Sequence, residues 1–482
     1  MQFDSYIFVL AFLPIMILLY FVLNKINTIL GKFVIIAGSA VFYAYTDVSM
    51  LGMLAISISI NYIFAKLINK TNFKKIFMVI PVVINVGILL YFKYTNFAIS
   101  NINSMFNMEI ELKQIVLPVG ISFVTFQQIA YVVSAYRNEI KELNIIDYIS
   151  YILYFPKLLM GPLMDPVDFF EQYNDQNRKK ISWDNVAIGL KLFSLGLVKK
   201  VVLADTFAKA VSWGFSNYDA ATSMDWIIII LAYSFEIYFD FSGYSDMAVG
   251  VSQILNISLP MNFDSPYKAV SIRDFWKRWH ISLTKFLTKY IYIPLGGSKK
   301  GLFFTCLNTM IVFLISGIWH GANWTFIMWG VLHGALSVFD RFIDKSSVKF
   351  FEPGRWLLTF IVVNILWLLF RAESIGQWWD ITTKISAFGN TGVSEGLIEA
   401  FTFPEPSLLF WLVPCLKTFN EFSRGFIMNM FILISFIICF FPENNFKNKE
   451  KITMPGMVFT AILFVWGVLC LGSESVFVYF NF

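Results

Sequence analysis

The chain carries only three histidines, His280, His320 and His333, and all fall in one stretch past its middle. A histidine in apolar surroundings stays neutral, because burial disfavours the imidazolium, and a neutral ring can accept a proton. That is the state required of a general base that deprotonates an attacking hydroxyl. His320 closes the apolar run LFFTCLNTMIVFLISGIW and is followed by GANW, where Gly317 and Gly321 allow close approach of other groups. His280 sits at the edge of an apolar helical face, and His333, followed by Gly334, reads as a packing residue. An ionisable group among apolar residues marks a functional site or a buried hydrogen-bonding partner. Both roles stay open for His280 and His320 on burial alone.

A second polar cluster, EIYFDFSGYSD, holds Glu236, Asp240, Ser242, Tyr244, Ser245 and Asp246 beside apolar sequence. Its carboxylates could orient a histidine, bind a cation, or pair with nearby basic residues. The phosphate-loop pattern GxxxxGK[ST], the nucleophile elbow GxSxG and the zinc motif HExxH are absent. Cys306, Cys415, Cys439 and Cys470 lack CxxC spacing, so neither a disulfide framework nor a metal site is expected, and they read as packing residues.

The elements that must position these groups are membrane helices. Of 482 residues, 57% are hydrophobic and 14% charged, against roughly 45–50% and about 25% in soluble domains. Uninterrupted apolar runs give candidate spans at Tyr6–Leu23, Phe33–Tyr45, Leu51–Phe64, Ile76–Phe92, Ile115–Tyr136, Tyr148–Met164, Val186–Val202, Trp226–Phe239, Leu302–Trp319, Ala322–Phe339, Trp356–Phe370, Gly425–Phe441 and Met457–Leu471. Several are too short to cross alone, which suggests tilted, re-entrant or broken segments. A β-barrel would show alternating polarity instead. The expected fold is all-α and polytopic, with about 11–13 transmembrane or re-entrant helices in one domain over residues 1–482. The first run lacks a basic leader and a small-residue cleavage site, so it reads as a retained span.

Basic residues favour cytoplasmic loops. Lys25 and Lys32 follow the first run, Asp47 alone occupies the next connection, and Lys66, Lys70, Lys74 and Lys75 follow the third, which puts the N-terminus outside. Arg137 and Lys141 precede Tyr148–Met164 and Arg178, Lys179 and Lys180 follow it, so this piece, with Pro156, Lys157 and Pro162, is expected to enter and leave on one face. Asn61, Asn85, Ser122, Thr125, Gln127 and Gln128 are polar groups within apolar runs, expected to join helices to one another.

From Ile272 to Tyr290, helical spacing places Ile272, Phe275, Trp276, Trp279, Leu283, Phe286, Leu287 and Tyr290 on one face and Arg273, Lys277, Arg278, Lys285 and Lys289 on the other. Such a helix lies in the plane of a membrane surface, and its charge makes that surface cytoplasmic. The patch suits anionic headgroups and equally a nucleotide-bearing donor.

The segments LPVGISFVTFQQIAYVVSAYR, YFPKLLMGPL, YFDFSGYSDMAVGVSQILNISLPMNF, RDFWKRWHISLTKFLTKYIYIPLGG, SGIWHGANWTFIMWGVLHG and the terminal FVYFNF, in this order, resemble the membrane-bound O-acyltransferase family, and within it the bacterial alginate and polysaccharide O-acetyltransferase type. The resemblance runs from the first span to the last residue. It implies helices around a central tunnel with a cytoplasmic mouth for an acyl thioester and an outer mouth for the acceptor. It also implies a catalytic His320 in Trp319-His320-Gly321 and a second functional histidine, His280, in Arg278-Trp279-His280. Trp319, Asn323, Arg273, Lys277, Arg278, Asp240, Tyr244 and Asp246 stand beside them as expected donor-binding or supporting residues.

The resulting expectation is a multi-pass enzyme of a bacterial cytoplasmic membrane. It would move an acetyl group from acetyl-coenzyme A, or another acyl thioester, to a hydroxyl of an extracytoplasmic polysaccharide or relay protein. No bound cofactor, metal or nucleic acid is expected; the partners are the lipid bilayer, an acyl-relay or acetyltransferase protein and a polysaccharide acceptor. Two rivals remain: D-alanyl transfer from a carrier protein to teichoic acid, and a transporter or flippase using the same groups as a proton relay, although no repeated halves are visible.

Overall fold

The computed structural model describes residues 1–45, 48–345, 351–387, 389, 391–401, 413–415, 424–472 and 477. Asp47 and all of the terminal FVYFNF except Phe477 lie outside the described residues. The described chain is helical, with no strand among those residues. The helices are α1 (Phe8–Ile26), α2 (Thr28–Ala44), α3 (Ser49–Ile68), α4 (Lys74–Phe106), α5 (Ile121–Tyr136), α6 (Ile145–Leu153), α7 (Phe155–Leu158), α8 (Pro166–Asn174), α9 (Trp183–Val198), α10 (Asp205–Ser216) and α11 (Ser223–Ile254). They continue as α12 (Ile272–Arg278), α13 (Ile281–Leu287), α14 (Leu302–His320), α15 (Trp324–Lys345), α16 (Glu352–Arg371), α17 (Ile375–Ala387), α18 (Glu395–Ala400), α19 (Arg424–Phe440) and α20 (Met454–Leu469).

Local signals set many of these boundaries. Asn27 caps α2 by accepting the Ile29 amide at 2.8 Å, Asn144 caps α6, and Asp165 caps α8 with Pro166 at its first position. Ser271 caps α12 through the Asp274 amide at 3.2 Å. Among the described residues, seven helices are long and apolar enough to cross a bilayer, and α2, α19 and α20 are shorter apolar helices. The protein is therefore a polytopic, all-helical membrane protein. The run Tyr148–Met164 is broken: α6 stops at Tyr154, α7 starts with Pro156 at its second position, and the chain beyond Leu158 leaves the helix.

The residues divide into two compact units, 1–193 with 247–260, and 194–246 with 261–482. The first has a core of phenylalanines in which Phe8 packs on Phe3, Phe42, Phe155 and Phe193. Of its polar side chains, Asn61, Asn85, Gln127 and Gln128 join helices as expected. Asn61 and Asn85 exchange amide hydrogen bonds between α3 and α4 at 3.3 and 2.7 Å, and Ser57 donates to Gln128 of α5 at 2.9 Å. Lys157, fully buried, donates to Gln127 and lies 3.8 Å from the centre of the Tyr151 ring.

The second unit is an aromatic core around α10, α11, α16 and α19, with Trp279 and Trp367 4.7 Å apart. Here α14 and α15 touch backbone to backbone: a Cβ on Gly317 would lie 2.4 Å from the Phe326 carbonyl oxygen, and one on Gly330 2.5 Å from that of Phe313. This crossing carries His320 and His333.

Candidate functional site

The predicted surface helix Ile272–Tyr290 is not continuous. It divides into α12 and α13 at Trp279–His280, where His280 takes a left-handed backbone (φ 45°). The cause lies in the segment Asn262–Asp264: the Asp264 amide binds the Arg278 carbonyl at 2.9 Å, and the Ile281 amide binds the Asn262 carbonyl at 2.9 Å. Those bonds withdraw the Arg278 carbonyl and the Ile281 amide from the helical ladder, and the chain must kink between them. The division into faces is as expected, since Ile272, Phe275, Trp276, Trp279, Leu283, Phe286 and Leu287 are all buried, while Lys277 and Lys285 are exposed.

The kink drives His280 inward, where it is 1% exposed. Asn262 holds it: the Asn262 Oδ1 lies 3.1 Å from His280 Nδ1, and accepts the Ser282 amide at 3.2 Å and the Ser282 hydroxyl at 2.8 Å. The Asn262 Nδ2 donates to Ser245 Oγ at 3.4 Å. The Phe241 ring meets the imidazole edge-on at 4.7 Å. Burial pushes His280 down to about 3, so the ring is neutral.

His320 is the last residue of α14 and is 5% exposed. Its ring packs against Trp319 at 4.7 Å, Phe370 at 4.9 Å and Trp329 at 5.2 Å. Trp319 also faces His280, at 6.4 Å between ring centres, so one indole touches both imidazoles. Gly321 is needed next to it, because a Cβ there would fall 2.2 Å from the Phe326 ring. His333, on α15, accepts the Trp276 indole N–H on Nδ1 at 3.1 Å and packs tilted against Trp329 at 4.7 Å, a packing position.

A cavity of about 270 Å³ opens beside α12, α13, α14 and α15. Arg273, Lys277 and Arg341 supply its cations, Trp276 and Phe313 are among its aromatic walls, and Ser316 and Ser337 are among its hydroxyls. Arg341 Nε and Ser337 Oγ are buried with no hydrogen-bond partner among the described residues. Ser316 is one helical turn before His320 on α14. Arg273 is shared with Asp344, at 2.8 Å, and Arg278 bonds Asp274 at 2.9 Å, away from the residues lining the cavity.

The polar cluster beside the apolar run lies within α11. Two of its carboxylates pair with lysines: Lys200 bridges Asp240 at 2.8 Å and Asp205 of α10 at 2.9 Å, and Lys199 meets Asp246 at 2.7 Å. Tyr244 packs edge-on against Phe477 at 5.0 Å. The same helix does support His280, but through Phe241 and Ser245, one turn apart on a neighbouring face. Asn323 starts α15, accepting the Thr325 amide at 3.1 Å and donating to the Glu373 carbonyl at 3.0 Å. The residues missed from sequence are Asn262, Ser282, Lys199, Lys200 and Arg341; a buried asparagine in an irregular segment has no periodic signature.

Comparison with known proteins places the whole chain in a family. The sequence profile of the membrane-bound O-acyltransferase family matches residues 104–375, more than half of the chain. A peptidoglycan O-acetyltransferase of Helicobacter pylori is 35% identical over all of this chain and 97% of its own length. A probable alginate O-acetylase of Azotobacter vinelandii is 35% identical over 82% of this chain and 80% of its own. A teichoic acid D-alanyltransferase of Bacillus subtilis is 26% identical over 51% of this chain and 64% of its own. The chain belongs to the membrane-bound O-acyltransferase family and is an acyltransferase.

Proposed function

We propose that this acyltransferase takes an acetyl group from a cytoplasmic thioester, acetyl-coenzyme A, and delivers it through a bacterial cytoplasmic membrane to a hydroxyl of an extracytoplasmic polysaccharide or relay protein. The observation that carries the reading is the place of His320, buried among Trp319, Trp329 and Phe370 one turn beyond Ser316, which lines a cavity with a cationic rim. The donor's phosphates would meet Lys277, Arg273 and Arg341, and its thioester arm would lie along Trp276 and Phe313 toward Ser316. His320 would take the proton from the attacking hydroxyl as its oxygen bonds to the thioester carbonyl carbon. When the tetrahedral intermediate collapses, the carbon–sulfur bond breaks and the thiolate recovers that proton from His320. His280, behind Trp319, would hold the far wall of the same centre.

Supporting an acetyl group and a glycan acceptor is the whole-length similarity to the peptidoglycan O-acetyltransferase, against half-length similarity to the D-alanyltransferase. The test is His320→Ala at matched membrane abundance, with mass spectrometry of the group added to cell-surface glycan. Loss of about two to four orders of magnitude in acetylation is expected; wild-type acetylation would refute the role of His320, and D-alanine in place of acetyl would refute the donor.

A further inference from the structure

A second cavity of about 270 Å³ lies within the first unit, between α2, α3, α4 and α5, and the acyl-transfer reading makes no use of it. Its walls are apolar, including Leu54, Ile56, Ile88 and Val124. Its mouth is on the outer face of α3: Ile56 lines it and is 64% exposed, and α4 beside it shows exposed Val83 and Val86 to the same surroundings. These are helices long and apolar enough to span a bilayer, so that exposed face meets lipid.

The inner end is polar. Gln128 and Ser57 line it, and the Gln128 carbonyl already accepts the Ser57 hydroxyl at 2.9 Å. The Gln128 amide nitrogen is buried and has no acceptor among the described residues, although Gln128 as a whole is 1% exposed. A donor left unsatisfied at membrane depth is strongly unfavourable, and an apolar cavity larger than about 150 Å³ takes apolar guests in preference to water. An occupant must therefore be largely hydrocarbon, enter from the bilayer, and carry one hydrogen-bond acceptor. We propose that this cavity binds an acyl chain of a membrane phospholipid, with its ester carbonyl accepting from the Gln128 amide.

The test uses the full-length protein in phosphatidylglycerol vesicles containing a small fraction of phosphatidylglycerol with a photoactivatable diazirine on one acyl chain. After illumination and digestion, adducts are quantified by mass spectrometry on peptides covering Leu54–Ile60 and Ile121–Gln128, with the exposed face around Val83 and Val86 as the background. Enrichment over that background is expected. Ile56→Trp, an exposed position that tolerates a large side chain, should close the mouth and remove the enrichment. Gln128→Leu should lower it by about threefold to tenfold, the value of one buried hydrogen bond. Labelling equal to the background would show a cavity that is empty or holds water alone, and enrichment unchanged in both variants would show lipid bound outside it; either result would overturn the proposal.

Discussion

Asn262 Oδ1 lies 3.1 Å from Nδ1 of His280 while accepting both the amide and the hydroxyl of Ser282. A carbonyl oxygen cannot donate, so the proton of the neutral His280 ring sits on Nδ1 and the lone pair on Nε2. Asn262 is thus a positioning residue that selects the tautomer. Asn262→Ala should reduce acyl transfer by about ten- to a hundredfold at matched folded protein, the cost of a lost buried hydrogen bond carried into the transition state. Asn262→Asp should raise the pKa of His280 and move the acid limb of the pH–rate profile upward. Unchanged rate and profile in both variants would reduce Asn262 to a loop anchor.

This hydrogen bond also shows where reading the sequence stopped. The spans were legible because a bilayer demands long apolar runs: Leu302–Trp319 was expected and Leu302–His320 is found. The two faces of Ile272–Tyr290 were legible from helical spacing. The break at His280 was not, because it depends on two backbone bonds from Asn262 and Asp264, and nothing in the periodicity of the helix records a competitor for its carbonyls. Pairing of the α11 carboxylates with basic residues was one of the readings open from the sequence, and Lys199 and Lys200 are the partners found; which lysines they would be was not legible, because they come from a distant stretch of chain.

Lys200 is the one cation in contact with both Asp205 and Asp240 among the described ion pairs, and all three side chains are nearly inaccessible. Lys200→Met would leave two carboxylates buried together, a loss of about 3–5 kcal/mol. It should fail to give a monodisperse peak in detergent size-exclusion chromatography. Asp240→Asn keeps the Asp205 pair and should fold. If Asp240 is structural, transfer per folded molecule stays near wild type; a fall in specific activity much larger than the fall in abundance would return Asp240 to the reaction centre.

The cavity beside α12 separates lysines that composition treats alike. Lys277 lines it, whereas Lys285 and Lys289 do not, and Lys289 lies 5.4 Å over the Tyr290 ring. Lys277→Glu should raise the donor KM by about threefold to tenfold with kcat little changed, and the effect should shrink in high salt. Lys285→Glu serves as the control, expected to leave the donor KM unchanged. Equal effects at both positions would indicate a diffuse surface potential and no donor site at the cavity.

Burial of His280 also predicts how the fold responds to acid. Its folded pKa of about 3 lies below the ordinary value of 6.5, so between those limits the unfolded chain binds a proton that the native ring refuses. Stability therefore rises with pH across this window and is lost as pH falls from about 6.5 toward 3, by up to about 1.4 kcal/mol per pH unit for one such group. Replacing the ring by a side chain that does not titrate removes this contribution but keeps an amide to face Asn262. His280→Gln should accordingly show a smaller decrease in Tm between pH 7 and pH 5 than wild type, measured by thermal unfolding in detergent at fixed ionic strength, even if its Tm at pH 7 is lower. Parallel Tm curves for the two proteins over that range would mean that His280 is solvated, and charged, in the native state.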